Sequence, residues 1–279
     1  MDCERLTHSQ NATWCDASIV TIARMLSLPR FIGEALARYL SAPRPSMQTG
    51  SPADPRKLLQ CLQPCDVLLV EGSTRISTAI KYLTQSTWSH SALFVGPQLG
   101  GFDEAGQPFL FIEADIVQGV CKRTLAHYAS YHTRICRARY LADEHKARII
   151  GELSGKLGHQ YDMKNVFDLA RYLFPTPPVP QRWRRKMIAL GSGDPTKAIC
   201  SSLIAEAFQR VGYPVLPIIT LQEQQDESGR AASREVFHIR HHSLYAPRDF
   251  DVSPYFEIVK PTLARGFDYR RIEWMPAGG

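Results

Sequence analysis

The chain has 279 residues, of which 44% are hydrophobic and 22% charged, with a formal net charge of +6 and a pI near 9.0. That is ordinary globular composition, with length for one large domain or two small ones, and no run of 18 apolar residues predicts a membrane-spanning helix. The basic excess favours an acidic surface such as phospholipid or nucleic acid, but zinc-finger spacing, RNP-like aromatic motifs and long Lys/Arg runs are all missing, so no nucleic-acid partner is expected.

The first ten residues, MDCERLTHSQ, hold no basic segment followed by an apolar one, so no secretory signal is expected. Seven cysteines, at 3, 15, 61, 65, 121, 136 and 200, are odd in number and irregular in spacing. They point to a reducing compartment and a cytoplasmic location rather than a disulfide framework.

Residues 1–17 are polar. From Ile19 to Leu40 the chain reads as helix, broken or kinked at Pro29, with Ile32, Ala35, Leu36, Tyr39 and Leu40 opposite Arg30, Glu34 and Arg38. The stretch 42–56, APRPSMQTGSPADPR, reads as a linker, which makes 1–56 an N-terminal extension and 57–279 the main domain. CDVLLV (65–70) predicts a buried strand. STRISTAIKYLT (73–84) predicts a helix, with Ile76, Ile80 and Leu83 on one side and Ser73 as its N-cap.

SHSALFVG (89–96), PFLFIEAD (108–115) and TRICRARYL (133–141) predict three more strands. Asp143 is placed to cap a helix through Ile150 to Leu157, and YDMKNVFDLARYLF (161–174) predicts another helix, stopped by Pro175. PTPPVPQRWRRKM (175–187) is an extended proline segment ending in a basic cluster around Trp183. ICSSLIAEAFQRVG (199–212) predicts an amphipathic helix with Leu203, Ala207, Phe208 and Val211 inside and Gly212 as its stop. The polar stretch 221–235, LQEQQDESGRAASRE, reads as a flexible loop. Strands and helices in this order predict a mixed α+β fold.

Three residue types in this pattern carry chemistry. Strand alternation puts His90, Ala92 and Phe94 on one face, and Phe109, Phe111 and Glu113 on one face of the next strand. Antiparallel pairing of the two would bring Glu113 beside His90, where a carboxylate fixes the imidazole tautomer and stabilises the imidazolium. The bland alternative is a packed core histidine and a solvated glutamate. Cys200 stands near the start of its helix, where the helix dipole and a neighbouring histidine would favour the thiolate. Asp194 as N-cap with Pro195 at N1 would instead set Cys200 a turn and a half inside, and an ordinary buried cysteine is the alternative reading.

Taken together, DVLLVEG, ISTAIKYLTQSTWSHSALFVG, FIEA, YD and CSSLIAEAF resemble the permuted branch of the NlpC/P60 papain-like superfamily, the YiiX/YebB-like proteins. The resemblance covers about residues 60–215 and is most specific around His90. It implies a circularly permuted papain-like α+β fold, with an antiparallel sheet packed against helices that include the nucleophile helix. In that branch the histidine strand precedes the cysteine helix. By position, Cys200 would be the nucleophile, His90 the general base and Glu113 the residue that orients the imidazole. Tyr161, in HQYDMKN, stands where the family has a tyrosine before its second helix, to donate to an oxyanion or shape the cleft. Cys65-Asp66 departs from the family's Gly-Asp.

The resemblance implies a cysteine-dependent hydrolase or acyltransferase acting on an amide, ester or thioester. Without an export signal, peptidoglycan is a poor substrate and a lipid, acylated substrate or small amide is expected. The competing reading is a papain-like scaffold used only for binding. Arg182, Arg184 and Arg185 around Trp183 suit a peripheral membrane contact. HIRHH (238–242), Cys61 with Cys65, and GSGD (191–194) lack the partners that metal or phosphate sites need, so no cofactor is expected.

Overall fold

The computed structural model describes residues 54–160, 200–225, 231–261 and 268–271, with single positions 42, 52 and 273. The helix expected over 19–40, nearly all of the linker, the helix expected over 161–174 with Tyr161, and the segment carrying Arg182, Trp183, Arg184 and Arg185 lie outside the described residues.

Helix α1 (Pro55–Cys61) begins inside the last two residues of the expected linker. Asp54 caps it, its carboxylate accepting from the Arg56 N–H at 2.9 Å, and Pro55 supplies a preset first turn. Strand β1 (Val67–Val70) is buried at all four positions, because both faces of the sheet are covered there. Helix α2 (Arg75–Thr84) is capped by Thr74 and not by Ser73. Thr74 has the extended backbone a cap requires, and its Oγ1 accepts from the Ser77 N–H at 3.2 Å, a reach that Ser73 misses by one residue.

Strands β2 (His90–Phe94) and β3 (Phe109–Asp115) follow the sequence pattern. Strand β4 (Gly119–Thr124), which that pattern does not announce, completes a meander. After β5 (Thr133–Ala138), helix α3 (Asp143–Gly155) starts with Ala142 at the cap. Asp143 is therefore the first helical residue, where with Glu144 it meets the positive end of the helix and pairs with Lys146 at 2.8 Å. Helix α4 (Cys200–Arg210) is followed by Gly212 at φ 74, the left-handed stop that glycine enters without strain.

The polar stretch expected as a flexible loop instead supplies most of a two-stranded ribbon. In it β6 (Ile218–Gln225) pairs antiparallel with β7 (Ala231–His238). Polarity misleads here because the ribbon is held by its backbone ladder, and apolar Ile219, Leu221 and Phe237 stay exposed on it. Helix α5 (Pro247–Asp251) and edge strand β8 (Phe256–Val259) end the fold.

The main sheet runs β4-β3-β2-β1-β5-β8, with every neighbour antiparallel, so the architecture is mixed α+β. One face presents Val67, Leu69, Leu93, Ile112 and Cys136 to Leu203, Ile204, Ala207 and Phe208 of α4 and to Ile149 and Leu153 of α3. The other presents Leu68, Val70, Ala92, Phe94, Phe111 and Ile135 to Leu58 of α1 and to Tyr128. Before β1, Cys65 takes φ 71, a conformation that costs a non-glycine residue about 1 kcal/mol. Next to it Asp66, 1% exposed, receives Nε and NH2 of Arg137 at 2.9 and 2.7 Å.

Candidate active site

His90 is the first residue of β2, at one end of an internal strand of the sheet, its side chain 26% exposed. The approach to it is braced. The Ser89 N–H donates to the Val70 carbonyl at 3.1 Å, and the Gly72 N–H donates to Ser89 Oγ at 2.9 Å. Trp88 donates from Nε1 to Asp251 of α5 at 3.1 Å, and Arg134 lies over the Trp88 ring at 4.9 Å. A Cβ on Gly72 would lie 2.3 Å from Ser77 Oγ and 2.9 Å from Ser89 Oγ. Gly72→Ala is therefore expected to destabilise the fold by about 1–3 kcal/mol, read as a lower urea midpoint at unchanged slope. It is also expected to slow labelling of Cys200 by displacing the His90 approach.

Register places Glu113 directly opposite Ala92, so His90 and Glu113 are diagonal neighbours on one face. His90 Nε2 and Glu113 Oε2 are 2.7 Å apart. Glu113 is 2% exposed and has two further donors. Tyr128 OH donates to Oε2 at 2.6 Å, and Arg123 Nε donates to Oε1 at 2.6 Å. Burial would push the Glu113 carboxyl up, but the His90 ring, Arg123 and Tyr128 together hold it well below the usual carboxylate range.

Cys200 comes to the same place from the other face, carried by α4 across β2 and β3. The residue is 5% exposed. Its sulfur is near enough to His90 and Ser91 for both to act on its charge. With Nε2 committed to Glu113, Nδ1 is the ring nitrogen left for the thiol. Burial alone would raise the Cys200 pKa; the neighbouring His90 charge first, with the polar groups of His90 and Ser91, brings it below the ordinary thiol value. Burial likewise opposes charging of His90, but the Cys200 and Glu113 anions outweigh it and hold the imidazole well above its ordinary pKa. At Cys65 and Cys121 burial outweighs the neighbouring Lys146 and Arg123 cations, and the thiols are pushed up to about 12.

The structure therefore brings together His90, Glu113 and Cys200; Tyr161 lies outside the described residues. Sequence reasoning missed Ser91, Arg123 and Tyr128. Arg123 sits on a strand the pattern did not announce, and Tyr128 in the 3-10 turn Leu125–Tyr128. Strand alternation sets Ser91 on the face opposite His90; it is fully buried, and its hydroxyl has no hydrogen-bond partner among the described residues. A second histidine–carboxylate pair, His132 Nδ1 with Glu71 Oε2 at 3.1 Å, lies at the same end of the sheet and also holds Lys81 at 3.5 Å. Among the described residues, no group of three or more His, Cys, Asp or Glu is arranged to hold a metal ion, and Cys61, Cys65, Cys121, Cys136 and Cys200 are free thiols. No helix among them is long and apolar enough to cross a membrane.

No protein-family model matches the chain, and no curated protein does. Among solved structures, the chain is similar to the crystal structure of metalloprotein yiiX from Escherichia coli O157:H7, at 15% identity, over 72% of this chain and 97% of that one, with a TM-score of 0.41.

Proposed function

We propose that the protein is a cysteine-dependent acyl-transfer hydrolase or acyltransferase with a permuted papain-like arrangement. The observation that carries this is one contiguous chain of contacts, Cys200 to His90 to Glu113, in which the thiol is favoured as thiolate and the ring as imidazolium. Cys200 Sγ attacks the carbonyl carbon of an amide, ester or thioester and forms a tetrahedral oxyanion. His90 Nδ1–H protonates the leaving group as the carbon–leaving-group bond breaks, giving an acyl-enzyme. The neutral ring then takes a proton from water or from an acceptor alcohol or amine. The acid or the transferred acyl product leaves, and Cys200 is regenerated as thiolate. Glu113 holds the ring and stabilises its cation without itself taking the proton. A lipid or acylated substrate remains the preferred class, with peripheral membrane contact through the segment 182–185 as part of the same proposal.

The test is lipid and peptide profiling after incubation with wild type and with Cys200→Ala. A product made only by the wild type supports the reading and names the bond. No product, together with a Cys200 that labels no faster than the other thiols, selects the binding-scaffold alternative. Glu113→Gln keeps shape and some hydrogen bonding but loses the charge. It is expected to lower kcat by about 10- to 1000-fold, less than His90→Ala. Steady-state kinetics on the substrate so found would check this, and equal losses would give Glu113 a more direct part than orientation.

A further inference from the structure

Glu113 is bound by more groups than an orienting carboxylate requires. From β2 it faces His90; from β4, Arg123 and Cys121; from the 3-10 turn, Tyr128 and His127; along its own strand lies Asp115. The Tyr128 phenol is pushed up by burial first and the Glu113 charge next, the Cys121 thiol by burial and, against Arg123, by the Glu113 charge, and both stay neutral. His127, 4.0 Å away and 44% exposed, is lowered by burial and by the cations Arg123 and His90, in spite of Glu113. Among the described residues facing Glu113, the cations are therefore His90 and Arg123. The His90 charge is shared with the Cys200 thiolate, and one imidazolium between two anions leaves a buried cluster with a net negative charge.

We propose that Arg123 is a positioning residue of this site: its guanidinium neutralises the buried Glu113 carboxylate, so that the thiolate–imidazolium pair forms in a cluster with no net charge. Thiolate, imidazolium, carboxylate and guanidinium then alternate in sign from α4 to β4. The guanidinium is itself fixed, its NH1 donating to Gln118 Oε1 at 2.7 Å and its NH2 lying 3.8 Å from Asp115. A buried carboxylate deprived of its cation takes up a proton instead of remaining charged. A protonated Glu113 no longer supports the imidazolium, and the thiolate loses its counter-ion. This role rests on the reading of Cys200 and His90 as nucleophile and base.

The experiment uses the full chain and compares wild type with Arg123→Met, Arg123→Gln and Arg123→Lys. Two quantities are followed against pH: the carboxyl carbon resonance of Glu113, assigned by its loss in Glu113→Gln, and the rate of iodoacetamide labelling at Cys200, read by mass spectrometry. In wild type, Glu113 is expected to remain ionised throughout the range in which the protein is folded. In the Met and Gln variants a Glu113 titration is expected to appear within that range, and the acid limb of Cys200 labelling to move up by about one unit. Lys is expected to restore both, which a purely structural part for Arg123 would not require. Folded Met or Gln variants, checked by near-ultraviolet circular dichroism, in which Glu113 titrates as in wild type overturn the proposal. Should both unfold, a folded Lys variant whose Glu113 gains a titration overturns it, and one whose Glu113 stays ionised upholds it. A wild-type Cys200 that labels no faster than the other thiols removes the nucleophile reading and this role with it. That failure is distinct, because the Glu113 titration is measured separately.

Discussion

Cys200→Ala is expected to abolish turnover, by on the order of 10,000-fold or more, while the protein stays folded. The sulfur is the only atom removed. It lies over the His90–Ser91 end of β2, whereas the helix is held to the sheet further along by Leu203, Ile204, Ala207 and Phe208. Ser201 Oγ also donates to the Tyr245 carbonyl at 2.7 Å and ties the same turn down independently. The stability cost is therefore expected to be about 1 kcal/mol, measurable as a small shift in the urea midpoint. Retained activity would end the nucleophile assignment. Loss of folding would show instead that the thiol is structural.

His90→Ala is expected to cut the labelling rate of Cys200 at neutral pH by about 100-fold or more, because thiolate is the reactive form. In wild type the imidazolium overcomes the burial that would otherwise raise the thiol. Without it, Cys200 approaches the state of Cys65 and Cys121, which burial pushes up to about 12. The whole labelling profile then moves toward alkaline pH. Glu113 keeps Arg123 and Tyr128 in this variant, so its charge is not left bare and the sheet is not undermined. Alkylation rate against pH in both proteins is the measurement. Superimposable profiles would show that His90 does not set the state of Cys200.

Much of this arrangement was legible in the sequence, for identifiable reasons. β1, β2 and β3 are short apolar runs; strand alternation grouped His90 with Ala92 and Glu113 with Phe111, and the antiparallel pairing on which the rest depended is the one the structure has. The α4 pattern has the helical stripe that buries Leu203, Ala207 and Phe208, so Cys200 was correctly set on an amphipathic helix. What stayed hidden depends on tertiary context. GVCKRT looks like a polar turn because its Lys122 and Arg123 find partners across the chain, Leu99 and Gly100 carbonyls for one and Glu113 for the other. The ribbon β6–β7 is polar because it buries little, and composition therefore pointed to a loop. Ser73 and Asp143 miss their caps by one residue, an offset that only cap geometry decides.

The chain order of the three site residues has a consequence for biosynthesis. His90 and Glu113 sit on adjacent strands joined by a short excursion, and β4 follows Glu113 within a few residues, so these pairings are local and close at low entropic cost. The thiol comes much later, at position 200, on a helix that packs across strands already made. During synthesis the histidine, its carboxylate and the arginine emerge within one stretch, well before the proposed nucleophile. On the proposed function, the site is complete only once this late helix docks on the sheet. Reactivity is thereby coupled to completion of the core, since the same helix that delivers the sulfur also buries Phe208 and Ile204 against the sheet.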